Sequence, residues 1–181
     1  MQEAKPLDLV AFHDWRPVLT PDPAVPEEGN PPLSPLIGTE APALELSLLD
    51  DSTFSLDQHR GKVIVLDFWA TWCGPCIKAM PEVMGAIAAF PPDAVTFLAV
   101  NQGETPPLIS GFLEAREWQT MPVALDFNLK VSKSYQVESI PHTVVIDPQG
   151  KIAWVHSGFS SDLKAKLFEA IAGILSGGPR P

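Results

Sequence analysis

Lys62-Val-Ile-Val-Leu-Asp-Phe-Trp-Ala-Thr-Trp-Cys-Gly-Pro-Cys76 is the stretch on which the fold turns. Residues 62–69 are almost uninterruptedly apolar and rich in β-branched and aromatic side chains, which is how a strand covered on both faces reads. Residues 77–90 then carry apolar side chains at helical spacing and stop at Pro91-Pro92. Cys73 and Cys76 therefore lie where a buried strand ends and a helix begins. A helix N-terminus offers unpaired amide donors and partial positive charge, and both favour thiolate over thiol. Cys73 is expected at that terminus and is the more exposed of the two. Cys76 lies beneath the first turn and faces back toward it. Their spacing brings the sulfurs to bonding distance, about 2 Å, without unwinding the helix. Pro75 suits a first turn, where its missing donor is not needed, and Gly74 removes bulk around the attacking sulfur.

This arrangement suits thiol-disulfide exchange. Cys73 attacks a partner's disulfide, and Cys76 then attacks Cys73 and releases the reduced partner. The second step needs Cys76, a buried thiol, to lose its proton. Asp67 is a lone carboxylate in the apolar strand, six residues before Cys73. Two placements are open to it. Beneath the dithiol, burial raises its pKa toward neutrality and makes it a proton acceptor. At the strand's outer end it forms a surface ion pair with Lys62 or Lys78. The cysteines have other readings too. A two-Cys two-His zinc site would need His59 and His142 together. A purely structural disulfide this short would constrain little chain entropy. Trp69 reads as core and Trp72 as an exposed shield beside the sulfurs.

Outward from this stretch, residues 43–49 and 53–56 read as a hairpin about the turn Asp50-Asp-Ser52. Residues 94–100 read as a second buried strand. Thr105 reads as an N-cap before a helix through residue 118, with Pro106-Pro107 in its first turn. Residues 123–126 make a short strand and 128–135 a short helix. Residues 143–147 and 152–156 flank the hairpin turn Asp147-Pro-Gln-Gly150. Ser160 or Ser161 caps a last helix over 162–175, which Gly177-Gly178-Pro179 ends. Strands alternating with helices, then a hairpin and a final helix, give an α/β protein whose mixed central sheet is flanked by helices.

The 181 residues suit one domain with a sizeable core, and 45% hydrophobic against 19% charged residues exclude general disorder. A net charge of −10 argues against nucleic acid and anionic membrane surfaces as partners. No apolar run approaches the roughly 20 residues of a membrane helix. Seven of the 20 prolines fall between Pro17 and Pro35, so this stretch builds neither a helix nor a sheet centre. Residues 1–37 are read as an acidic, proline-rich arm or linker, 38–176 as the domain and 177–181 as a tail. Residues 7–12 form an isolated apolar patch within that arm. Met1-Gln-Glu-Ala-Lys lacks the basic and apolar regions of a secretory signal. The protein is then either cytoplasmic or acts beyond the membrane with its export signal absent from this chain.

The run Val65-Leu-Asp-Phe-Trp-Ala-Thr-Trp-Cys-Gly-Pro-Cys76 resembles the active-site strand and helix of thioredoxins. Pro81 matches the proline that kinks that family's active-site helix. Residues 38–176 resemble the TlpA/ResA-like branch of thioredoxin-fold oxidoreductases, on three features. These are the leading hairpin, a helix-strand insertion after Val100, and the run from Asp126 through Ser-Ile-Pro-His142 to Asp147. The resemblance implies a thiol-disulfide oxidoreductase without bound cofactor or metal, a monomer, often exported and membrane-anchored. Its partners are protein disulfides and an upstream thiol reductant. It also implies a cis Ile140-Pro141 step packed against the redox pair, with the Ile140 backbone pairing with substrate. Trp72, Gly74, Pro75 and Ile140 are then the substrate-binding residues, and Cys73, Cys76, Asp67 and Pro141 the catalytic ones.

Gly74-Pro75 is the dipeptide of reducing thioredoxins, whose potential is about −270 mV, so the expected direction is reduction. Asp67 is the ordinary-thioredoxin residue, which leaves the cytoplasm open beside the periplasmic side. His142 stands where small residues are common, either near the sulfurs or exposed beside a loop. Two other classes compete. A peroxiredoxin-like peroxidase needs a hydroxyl residue and a proline where Ala70 and Leu66 stand. A non-catalytic binding module would not need the intact cysteine motif.

Overall fold

The computed structural model describes residues 34–177. The arm read over residues 1–37, with its apolar patch, lies outside the described residues except for its last four, and the tail except for Gly177. Ser34–Ile37 form a turn that buries Leu36 against the core.

Two short strands open the domain, β1 (Glu45–Ser47) and β2 (Thr53–Ser55), paired antiparallel. They are shorter than the hairpin read from sequence, because Leu56 begins a 3₁₀ turn, Leu56–His59, instead of extending β2. The other strands are β3 (Val63–Trp69), β4 (Val95–Gln102), β5 (Val123–Asp126), β6 (His142–Ile146) and β7 (Ile152–Ser157). They form one sheet in the order β5-β4-β3-β6-β7, parallel from β5 to β3 and antiparallel from β3 to β7. The helices are α1 (Gly74–Ile87), α2 (Pro106–Glu114), α3 (Lys130–Ser134) and α4 (Leu163–Leu175). The chain is thus a thioredoxin-type α/β fold with a leading hairpin and an inserted helix and strand, α2 and β5.

β3 lies at the sheet's centre, and all seven of its residues are buried. Alternation of side chains along the strand splits them between two layers. Ile64, Leu66 and Phe68 pack with Val100, Ala124, Tyr135 and Val144, under a cover of Leu44, Phe54 and Leu56 from the hairpin region. Val63 and Val65 pack against Ala79 and Val83 of α1 and Leu163 and Leu167 of α4. The Tyr135 hydroxyl donates to the Pro42 carbonyl at 2.8 Å, tying the N-terminal segment to the first layer.

Several helix ends differ from their sequence reading. α1 starts at Gly74, three residues before the apolar periodicity begins, because Cys73 takes the N-cap position and Pro75 fits the first turn. Neither Ser160 nor Ser161 caps α4. Asp162 occupies that position without a capping side-chain bond, and the Ser160 hydroxyl instead meets His156 Nε2 at 3.3 Å. At α3 the first amide, Lys130 N, donates to the nearby Asn128 Oδ1 at 3.1 Å. The next two bond to the buried carboxylate of Asp126, at 3.2 Å from Val131 N and 2.7 Å from Ser132 N, with the Ser132 hydroxyl adding a third bond to it at 2.6 Å. Losing a buried acceptor with three donors is costly. Asp126→Ala should lower stability by about 2–3 kcal/mol, read as a lower urea midpoint with an unchanged slope.

Candidate active site

The site is built where β3 runs out. After Trp69 the chain turns through Ala70, Thr71 and Trp72, and the Cys73 amide donates to the Ala70 carbonyl at 3.1 Å. Cys73 then caps α1 through its own sulfur, since the Cys76 amide donates to Cys73 Sγ at 3.2 Å. The same donor stabilises a thiolate when the pair is reduced. The sulfurs are joined at 2.02 Å.

Cys76 is fully enclosed, and Cys73 is only 4% exposed. The sequence reading made Cys73 the outer sulfur, and its advantage is this sliver. The cause is the loop before β6: Ile140-Pro141 is a cis step, and the Ile140 carbonyl lies 3.7 Å from Cys73 Sγ. Trp69 is fully buried, whereas Trp72 projects outward with 71% of its surface exposed. Beside the disulfide runs a groove lined by Gly74, Pro75 and Lys78 on one side and Ile140, Pro141, Gly158 and Phe159 on the other. A side chain at Gly74 would meet no neighbouring atom, so this glycine keeps the groove's rim low. Gly158, at φ +84°, donates its amide to the Pro141 carbonyl at 2.8 Å and pins the end of β7 to the cis-proline loop. The left-handed backbone there favours glycine.

Asp67 lies in the core and pairs with neither Lys62 nor Lys78. It is fully buried and opposite Ala99 of β4, which packs in one cluster with Cys73, Cys76 and Met80. The Thr143 hydroxyl donates to its Oδ1 at 2.7 Å, while Oδ2 is buried without a hydrogen-bond partner. Burial pushes its pKa up to about 7, against the smaller opposing effect of the Thr143 bond. An acid poised there exchanges protons at neutral pH.

His142 is not the exposed loop histidine that the sequence left open. It is buried at the start of β6, on the opposite face from Asp67, edge-on to Phe68. Its Nδ1 meets the Ser157 hydroxyl at 2.8 Å, and Nε2 has no partner. Burial, reinforced by His156, lowers its pKa to about 4, so the ring is neutral at pH 7. His59 stacks on Phe54 in the hairpin region. The two histidines and two cysteines therefore do not assemble into one site, and no group able to hold a metal occurs among the described residues.

Glu104 belongs to the site although nothing in its sequence context marks it. Its carboxylate, only 9% exposed, accepts from Thr71 N and from Asn101 Nδ2, each at 2.7 Å, and from the Thr71 hydroxyl. It clamps the turn that carries Trp72 and Cys73 to the end of β4. An acid after a glycine in a loop reads as solvated surface, and only the crossing of β4 beside β3 brings it to Thr71. Lys78, Gly158 and Phe159 were likewise invisible as groove residues.

Residues 37–155 match the AhpC/TSA family. The thiol-disulfide oxidoreductase ResA of Geobacillus thermodenitrificans is 35% identical over 133 residues, spanning 72% of this chain and 76% of that protein. ResA of Bacillus subtilis is 33% identical over 121 residues, spanning 67% of each. Among solved structures, a candidate protein disulfide isomerase from Bacteroides thetaiotaomicron superposes with a TM-score of 0.70 at 27% identity, covering 77% of this chain and 90% of that one. With a cysteine pair at the head of α1, a cis-proline against it and relatives of this kind, the chain belongs to the AhpC/TSA family and is a thioredoxin-fold, ResA-like thiol-disulfide oxidoreductase.

Proposed function

We propose that this oxidoreductase works as a reductase of protein disulfides. The observation that carries this reading is Cys73 Sγ at the N-cap of α1, holding the Cys76 amide and lying 3.7 Å from the carbonyl of Ile140, a residue that lines the adjoining groove with Gly74, Pro75 and Pro141. In the reduced protein the Cys73 thiolate attacks one sulfur of a substrate disulfide, and the first substrate thiolate leaves. Asp67 takes the proton of Cys76, whose thiolate attacks Cys73 Sγ. The Cys73–Cys76 bond forms, the mixed disulfide breaks and the second substrate thiolate leaves. Two electrons have passed to the substrate, and an upstream thiol reductant restores the dithiol.

Trp72, Gly74, Pro75 and Ile140 are the residues that receive substrate, with Pro141 holding the Ile140 backbone toward it. The chemistry runs on the two sulfurs without a bound cofactor, in a monomer. The Gly74-Pro75 dipeptide supports the reducing direction, and the exported branch that the sequence resembles supports action outside the cytoplasm. Ala70 and Leu66, both buried and apolar, offer peroxide no hydroxyl, which weighs against a peroxidase.

With dithiothreitol as donor, the wild type should accelerate insulin precipitation and Cys73→Ser should not exceed the uncatalysed rate. Cys76→Ser should instead accumulate the mixed disulfide, visible by mass spectrometry. A Cys73–Cys76 potential near about −270 mV fits a reductase, and one near about −120 mV reverses the direction.

Asp67 has its own signature. Resolution of a mixed disulfide between Cys73 and a peptide thiol should speed up as pH rises through about 7, and Asp67→Asn should remove that limb. Stability carries the opposite sign. The unfolded chain releases this proton at ordinary carboxylate pH and the folded one only near 7, so wild-type stability falls across that window. Asp67→Asn should flatten the fall, measured by urea midpoints from about pH 4 to pH 8.

A further inference from the structure

We infer that Thr143 is a positioning residue for the proton transfer at Cys76, its hydroxyl fixing one oxygen of Asp67 and leaving the other free to take the proton. This rests on the reading of Asp67 as the acceptor. Asp67 and Thr143 are direct partners across β3 and β6, so their side chains share the face that α1 covers. Both are buried, and the Thr143 hydroxyl donates to Asp67 Oδ1 at 2.7 Å. A carboxyl has two equivalent oxygens. Tying one to a strand-borne hydroxyl fixes the torsion of the group and distinguishes the two. The oxygen left over, Oδ2, is buried and has no partner. A buried acceptor without a donor is costly, and the donor this proposal assigns to it is protonated Cys76, which packs in one cluster with the Ala99 opposite Asp67. The proton then passes from Cys76 Sγ to Oδ2, and the electron pair left on sulfur attacks Cys73.

The surroundings leave this bond the main polar influence on Asp67. β4 presents Ala99 to it. Of the titratable groups of α1, Cys76 is the buried one, and Lys78 and Glu82 lie outside the buried face. One strand beyond Thr143 in the same row stands His156 of β7, which itself feels Lys166 and Asp162. His142, next to Thr143, faces the other layer against Phe68. A hydroxyl that donates to the carboxylate favours its charged form and offsets part of the burial.

A threonine in a central strand is also a good β-former, so the test must separate hydroxyl from shape. Thr143→Val keeps the branching and removes the donor, and Thr143→Ser keeps the donor. The measurements are ¹³C NMR titration of the Asp67 carboxyl in the oxidised protein and the pH profile for resolution of the Cys73–peptide mixed disulfide. In Thr143→Val both midpoints should move to higher pH, and resolution at about pH 6 should slow about tenfold, the worth of one charge-assisted hydrogen bond. Thr143→Ser should restore both. Thr143→Ala, with less steric demand, carries the same expectation as valine should that variant not fold. If Asp67→Asn removes the limb while the valine and alanine variants leave it in place, the Thr143 assignment alone is overturned. A carboxyl titration that moves without the limb overturns it equally. If Asp67→Asn leaves the limb intact, the acceptor reading fails and this one with it.

Discussion

The amide of Cys76 donating to Cys73 Sγ is the contact around which the molecule is arranged. It exists only if a helix begins at Gly74 immediately after a strand that cannot shift. β3 provides that fixity, since it is paired on both edges, buried on both faces and clamped beyond its end by Glu104 through Thr71. Any slip of this strand by one residue would exchange its two faces. Asp67 would then point into the Tyr135 layer, and the sulfurs would lose their place beside Ile140.

The same fixity explains how a carboxylate survives in the core. Burying an acid whose second oxygen has no partner works against folding. The surrounding apolar layers, with Val63, Val65, Leu66 and Phe68 all sealed from solvent, supply enough hydrophobic stabilisation to tolerate it. What the fold holds there is a carboxyl whose pKa burial pushes up to about 7, opposite the Ala99 that packs with the redox pair. His142 shows the converse case. Also buried, it is held neutral and bonded to Ser157 on the far face, where it ties β6 to β7.

Much of the site was legible because its signals are local. A cysteine pair with two residues between its members after an apolar strand, with proline in the first turn, states its geometry through backbone rules. The Ile140-Pro141 step was legible through resemblance to a family. Glu104, Thr143 and Phe159 were not, because each acts through a partner far away in sequence. Glu104 reaches back to Thr71 across a parallel strand pair, Thr143 meets Asp67 across an antiparallel one, and Phe159 reaches the groove only because β7 ends there. The caps of α3 and α4 differ from their reading for a more local reason. Val131 N and Ser132 N at the start of α3 found Asp126 at the end of β5, and Ser160 found His156, partners a few residues back rather than the usual capping side chain.

The amino-acid sequence alone determined the order of strands and helices, the seat of the cysteines at a strand-helix junction and the class of chemistry they perform, because these follow from hydrophobic periodicity and from what a helix N-terminus does to sulfur. Tertiary structure alone decided how little of Cys73 meets solvent, which oxygen of Asp67 is held, that His142 is buried, and which residues line the groove. These depend on strand register and loop closure, which bring together residues tens of positions apart, and no local pattern in the chain encodes those pairings.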